Sequence, residues 1–129
     1  MTKSAFSLEG LTMLIVEDET IVAMLLEDML ADLGCSTVLH AGSIDEAINL
    51  VHERKPDAAM VDVNLGGVYA YPVAATLAEA GVPFVFTTGY GAGGIATEWA
   101  ARPVVQKPFN LENLSATLER ALSENSAAA

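Results

Sequence analysis

Basic residues are scarce in this chain: 6 Lys and Arg stand against 17 Asp and Glu in 129 residues, a formal charge of −11. A surface so poor in cations does not hold nucleic acid by neutralising phosphates. A basic partner surface or a divalent cation suits it better. Cysteine is nearly absent too. Cys35 stands alone, so no internal disulfide forms, and no neighbouring His or base activates it. It reads as a structural thiol. No run of 18 apolar residues occurs, and the first residues, Met1 to Phe6, lack the apolar stretch of a secretion signal. A cytoplasmic protein with no membrane insertion is expected. The length suits one domain with one core and is too short for two.

What is present is apolar: hydrophobic residues make up 52% and charged ones 18%, the balance of a chain that folds. Strand-like and helix-like segments alternate, the pattern of an α/β domain with a parallel sheet. The first strand covers about Leu11 to Val16. Ile21, Leu25, Met29 and Leu33, opposite Glu27, Asp28 and Asp32, then mark an amphipathic helix ending at Gly34. Cys35 to Leu39 reads as a second strand. Ser43 and Glu46 form a capping box for a helix reaching about Lys55. Ala58 to Asp62 is the third strand, Asn64 to Gly67 a loop, and Pro72 an early residue of a third helix ending at Gly81. Val82 to Thr87 is the fourth strand. Four glycines between Gly89 and Gly94 precede a short, weak helical segment from Ile95 to Ala101. Val104 and Val105 form a fifth strand, and Asn110 caps a last helix striped by Leu111, Leu114, Leu118 and Leu122. The organisation expected is an N-terminal extension over 1–10, a single domain over 11–122 and a flexible tail over 123–129. The uncharged stretch around Val68, Tyr69, Ala70, Tyr71 and Val73 is read as core.

Acids close two of the apolar runs. Glu17 and Asp18 follow Leu14-Ile15-Val16, and Asp62 follows Ala58-Ala59-Met60-Val61. Ligands of open parallel sheets collect outside the carboxyl ends of the strands. Carboxylates gathered there repel one another unless a cation joins them. A metal and phosphoryl site is the outline. The glycines Gly89, Gly91 and Gly94 match G-x-G-x-x-G, but Glu112 opens a helix where a dinucleotide site needs an acid ending the next strand, so that site is rejected.

Taken together, Glu17-Asp18, Asp62, Thr88 and Lys107-Pro108-Phe109, in this order on five β/α units, resemble the receiver domain of two-component response regulators, from about Leu11 to Leu122. Pro83 to Gly91, with Phe84, Phe86, Thr87, Thr88, Gly89 and Tyr90, is similar to the signature of the atypical "FAT GUY" stand-alone receivers. The resemblance implies a flavodoxin-like, doubly wound five-stranded parallel sheet in the order 2-1-3-4-5 with helices on both faces. It implies Asp62 as phosphoacceptor, Thr88 as switch hydroxyl, Lys107 as phosphoryl contact, Gly89 beside the phosphoryl group, and a Mg²⁺ held by Glu17, Asp18, Asp62 and the backbone carbonyl of Asn64. It also implies a cis Lys107-Pro108 bond and, as partner, a sensor histidine kinase or phosphotransfer protein. The chemistry is coherent: a carboxylate nucleophile, an oxygen-loving cation and a lysine suit phosphoryl transfer.

The function expected is a single-domain response regulator that acts through protein binding and catalyses only its own phosphoryl transfer and autodephosphorylation. Tyr90 and Asn64 are expected to set the lifetime of the acyl phosphate. Thr87 stands where the "FAT GUY" signature commonly has Ala, and two further departures stand out. Val104 occupies the place of the usual aromatic three residues before the lysine, and Glu17 the place of a common Asp. One alternative is a phosphatase of the haloacid dehalogenase type, which needs a second Asp where Asn64 stands; another is an unphosphorylated adaptor that keeps only the fold.

Overall fold

A computed structural model describes residues 6–89 and 95–128, with side chains as far as Ser123. The elements in chain order are β1 (Thr12–Val16), α1 (Thr20–Asp32), β2 (Thr37–Ala41), α2 (Ile44–Arg54), β3 (Ala58–Asp62), β4 (Asn64–Leu65), β5 (Val68–Tyr69), α3 (Tyr71–Glu79), β6 (Phe84–Thr88), a 3-10 turn (Thr97–Trp99), β7 (Val104–Gln106) and α4 (Leu111–Ala128). Five strands form one parallel sheet in the order β2-β1-β3-β6-β7. With the small hairpin β4–β5 set aside, this is the order 2-1-3-4-5.

Alternation along the strands builds two cores, because successive side chains leave opposite faces of a sheet. Leu14, Val16, Ala59, Val61, Phe84 and Phe86 meet Ala47 and Val51 of α2 and Val73, Ala74 and Leu77 of α3. Met13, Ile15, Met60, Val85 and Val105 meet Ala23, Leu26 and Leu30 of α1 and Leu114, Leu118 and Ala121 of α4. Each of the fully buried Leu, Ile and Phe side chains contributes about 1.5–3 kcal/mol by leaving water. Leu8, ahead of β1, is buried in the second core, and its N–H donates to the Leu33 carbonyl at 2.8 Å.

Caps follow the sequence. The Ser43 hydroxyl accepts the Glu46 N–H, and Asn110 Oδ1 accepts the Asn113 N–H. Gly34 takes a φ of +96° after α1, a conformation only glycine adopts at little cost.

Five readings of the sequence need correction. Helix α1 does not bury the Ile21-Leu25 stripe: Ile21 is 82% and Leu25 48% exposed, while Ala23, Leu26 and Leu30 face the core. Apolar Ile21, Met24 and Leu25 share the exposed side with Glu27, Asp28 and Asp32, so periodicity alone does not choose the buried face. Asn64 to Gly67 is no plain loop but opens a hairpin, with Asn64 paired to Tyr69 and Leu65 to Val68. Between Ile95 and Ala101 only the 3-10 turn forms. Strand β2 begins two residues after Cys35, which is buried beside it. In the uncharged stretch Ala70 and Val73 are core, Tyr71 is half-buried, and Val68 and Tyr69 are exposed. Among the described residues no helix is long and apolar enough to cross a membrane.

Candidate functional site

Ile15, Met60 and Val105 all point to the α1–α4 face of the sheet. Glu17, Asp62 and Lys107 each lie two residues further on, so alternation turns all three to the same side at the carboxyl edge. The register continues the pairing Val16↔Val61 and brings the two acids side by side. Lys107 Nζ then sits 3.1 Å from Asp62 Oδ2 and 3.4 Å from Glu17 Oε1. The Lys107-Pro108 bond is cis, and the Lys107 N–H donates to the Thr88 carbonyl at 2.9 Å.

Glu17 is wholly buried and Asp62 nearly so. Glu17 Oε2 accepts the Glu19 N–H at 3.1 Å, and its backbone carbonyl accepts from His40 Nε2 at 2.8 Å. Burial first, and then the charge of Asp62, push the Glu17 carboxyl up to about 7, against the opposing pull of the Glu19 N–H and Lys107. Burial disfavours the charged Lys107, but Asp62 and then Glu17 outweigh it and hold the amine above its ordinary value. Asp62 Oδ1 accepts the Asn64 N–H at 3.1 Å.

One carboxylate oxygen each from Glu17, Asp18 and Asp62 lie within 4.8 Å of one another. Hard oxygen donors at that spacing are of the kind that hold a hard divalent cation. Beside them a cavity of about 510 Å³ is lined by Asp18, Asp62, Asn64, Thr88, Gly89 and Lys107. Glu17 lies behind this lining. Thr88 ends β6 and is buried; Gly89 is exposed, and a Cβ there meets nothing within 4 Å, so the space before it is open. Tyr90, Gly91, Gly93 and Gly94 lie outside the described residues.

Sequence reasoning missed Glu19, Gly66 and Gly67, which also line the cavity. Gly66 has a φ of +62°, and a Cβ on it comes within 3.6 Å of Asp18 Oδ2. The third consecutive acid after Val16 and the Asn64-Leu65-Gly66-Gly67 turn were the available signals. Asn64 Oδ1 accepts the Gly67 N–H at 2.8 Å and closes that turn over the acids.

The pattern of the response regulator receiver domain matches residues 13–119. The chain belongs to this family. Among the relatives of this receiver, the transcriptional regulatory protein PdtaR of Mycobacterium tuberculosis is 31% identical over 114 residues, covering 85% of this chain and 56% of that one. The phyllosphere-induced regulator PhyR of Methylorubrum extorquens is 33% identical over 116 residues, covering 84% of this chain and 42% of its own length. The receiver thus spans about half the length of such curated relatives. The solution structure of SdrG from Sphingomonas melonis superposes with a TM-score of 0.74 at 38% identity, over 96% of this chain and 99% of that one. The crystal structure of the response regulator PhyR from Brucella abortus gives 0.78 at 30% identity, over 92% and 50%.

Proposed function

We propose that this receiver is a cytoplasmic phosphoacceptor switch of the stand-alone, "FAT GUY" kind, in which Asp62 takes a phosphoryl group from a phosphohistidine. The observation that carries this reading is the pairing of Asp62 with Lys107 at 3.1 Å at the mouth of an acidic cavity. Asp62 attacks phosphorus: a P–O bond forms, the donor's P–N bond breaks, and the imidazole leaves with the electron pair. Lys107 offsets charge on the transferring oxygens. The Thr88 hydroxyl and the backbone N–H groups at the mouth, Gly89 among them, offer further donors. Glu17, Asp18, Asp62 and the Asn64 carbonyl would hold Mg²⁺. That ion, when bound, neutralises charge on the phosphoryl oxygens. Water later attacks phosphorus, the P–O bond to Asp62 breaks, and inorganic phosphate and the carboxylate are restored.

The proposed donor is a sensor histidine kinase or phosphotransfer protein. Ile21, Met24 and Leu25, 48–82% exposed, offer an apolar landing face on the helix that starts two residues after Asp18. The signal leaves by protein binding. The phosphatase reading loses support because Asn64, at the position that would need the second acid, spends its side chain on the Gly67 N–H.

The test is intact mass after exposure to a small-molecule phosphodonor with Mg²⁺. The wild type gains one phosphoryl group and Asp62→Ala gains none. No added mass on the wild type, or equal mass on both, removes the proposal. Mass that appears only with turnover of a generic phosphoester would bring the phosphatase reading back.

A further inference from the structure

Three contacts converge on Tyr71, the first residue of α3. Its ring stacks on Tyr69, with centroids 5.6 Å apart and planes at 17°. Its edge meets Phe86 at 6.2 Å and 85°. Its hydroxyl oxygen accepts the Ala96 N–H at 2.8 Å. Tyr69 is the register partner of Asn64, whose N–H is given to Asp62 Oδ1. Phe86 precedes Thr88 by two residues on β6. One side chain therefore touches the hairpin anchored on Asp62, the strand that delivers Thr88, and the segment beyond the cavity.

That segment packs on the core through Ile95 and Trp99, and the Arg102 guanidinium lies 5.8 Å from the Trp99 ring centroid. The Ala96 carbonyl accepts the Trp99 N–H at 2.9 Å, and the indole packs edge-on against Phe84 and Phe86. Trp99 Nε1 is buried with no acceptor among the described residues.

We infer that Tyr71 is a positioning residue that passes the phosphorylation state of Asp62 to the turn Thr97–Trp99; the inference rests on the phosphoacceptor reading above. As a carboxylate, Asp62 accepts the Asn64 N–H through a charged oxygen. As an acyl phosphate it offers a neutral carbonyl and a bridging anhydride oxygen, and the bond falls to about half its strength. The hairpin loses part of its anchor, and the Tyr69–Tyr71 stack carries the change to the Ala96 amide. Neither group contacts the reacting atoms.

The experiment uses beryllium fluoride with Mg²⁺, and the solution structure of SdrG in a BeF3-activated conformation shows that a relative takes this probe. Two signals are read on one sample: the ¹⁹F resonance of the bound fluoride and the emission of Trp99, the single tryptophan. Wild type, Tyr71→Phe, Ala96→Pro and the double variant are compared. Ala96 has a φ of −57°, which proline shares, so Tyr71→Phe and Ala96→Pro remove the same hydrogen bond from its two ends. The expected result is a bound ¹⁹F resonance in all four, with affinity within about threefold, and an emission change reduced at least about twofold in each single variant and no further in the double. An emission change in Tyr71→Phe equal to that of the wild type overturns the inference, whether or not Ala96→Pro folds, and so does a wild type that binds fluoride without any change in emission. A wild type with no bound ¹⁹F resonance overturns the phosphoacceptor reading itself, and this inference with it.

Discussion

Lys107 Nζ stands 3.1 Å from Asp62 Oδ2 although 45 residues separate the two in the chain. The same amine reaches Glu17, so one cation serves two buried carboxylates. Replacing Lys107 by Met leaves both acids without it. Phosphorylation by a small-molecule donor is expected to slow at least tenfold, about 1.4 kcal/mol of barrier or more. Gel-shift time courses of the phosphorylated form measure this; an unchanged rate removes Lys107 from the chemistry.

The buried Glu17 sets a pH dependence in the metal-free protein. Its carboxyl titrates at about 7 in the fold against an ordinary value of 4.5. Between those values the folded state holds a proton that the unfolded state has released, so stability falls as pH rises through that window and levels off above it. Urea midpoints in chelator at pH 5 and pH 8 are expected to differ in that direction. Glu17→Gln is expected to flatten the difference; a midpoint that rises from pH 5 to pH 8 contradicts the assignment.

Mg²⁺ binds the same carboxyl in competition with that proton. Apparent Mg²⁺ affinity is therefore expected to climb as pH passes through about 7 and then level off. Calorimetry in two buffers of different ionisation heat counts the proton released. Zero release at pH 6 separates Glu17 from the ion.

Gly66→Ala places a side chain at a φ of +62° and brings it to within 3.6 Å of Asp18 Oδ2. The backbone term costs about 1 kcal/mol. A melting temperature lower by several degrees, with weaker Mg²⁺ binding, is expected. Gly81, also at positive φ but remote from the acids, is the control: Gly81→Ala lowers stability and leaves Mg²⁺ binding intact.

The apolar face of α1 separates donor recognition from chemistry. Ile21→Ser together with Leu25→Ser is expected to change stability by no more than about 0.5 kcal/mol per site, because both side chains are exposed. Phosphorylation by a small-molecule donor stays as it was, while transfer from a histidine kinase or phosphotransfer protein falls several-fold. Equal loss with both donors places the defect in the cavity instead.

The sheet and its acidic edge were legible because parallel strands buried on both faces read as short apolar runs, and Glu17, Asp18 and Asp62 end two of them. Lys107 and Thr88 were found by resemblance, since nothing in a lone lysine or threonine marks a site. The hairpin was not legible: strands of two residues, Asn64–Leu65 and Val68–Tyr69, are too short to show any period. The outward face of α1 was misread for a related reason. Ile21, Leu25, Asp28 and Asp32 fall on one exposed stripe that mixes apolar and acidic residues, so hydrophobicity and charge point in opposite directions there. The reach of Tyr71 to Ala96 spans 25 residues and depends on where α3 starts, which sequence fixes only to within a few positions.

Leu8 gives the domain a lead-in that matters for anyone splicing it into a chimera. The family pattern begins at residue 13, yet Leu8 has no exposed surface, and its backbone bridges to Leu33 at the end of α1. A graft joined at Met13 leaves behind a leucine-sized hole, a loss of about 2–5 kcal/mol. The safe junction lies upstream of Phe6, which packs against the same core.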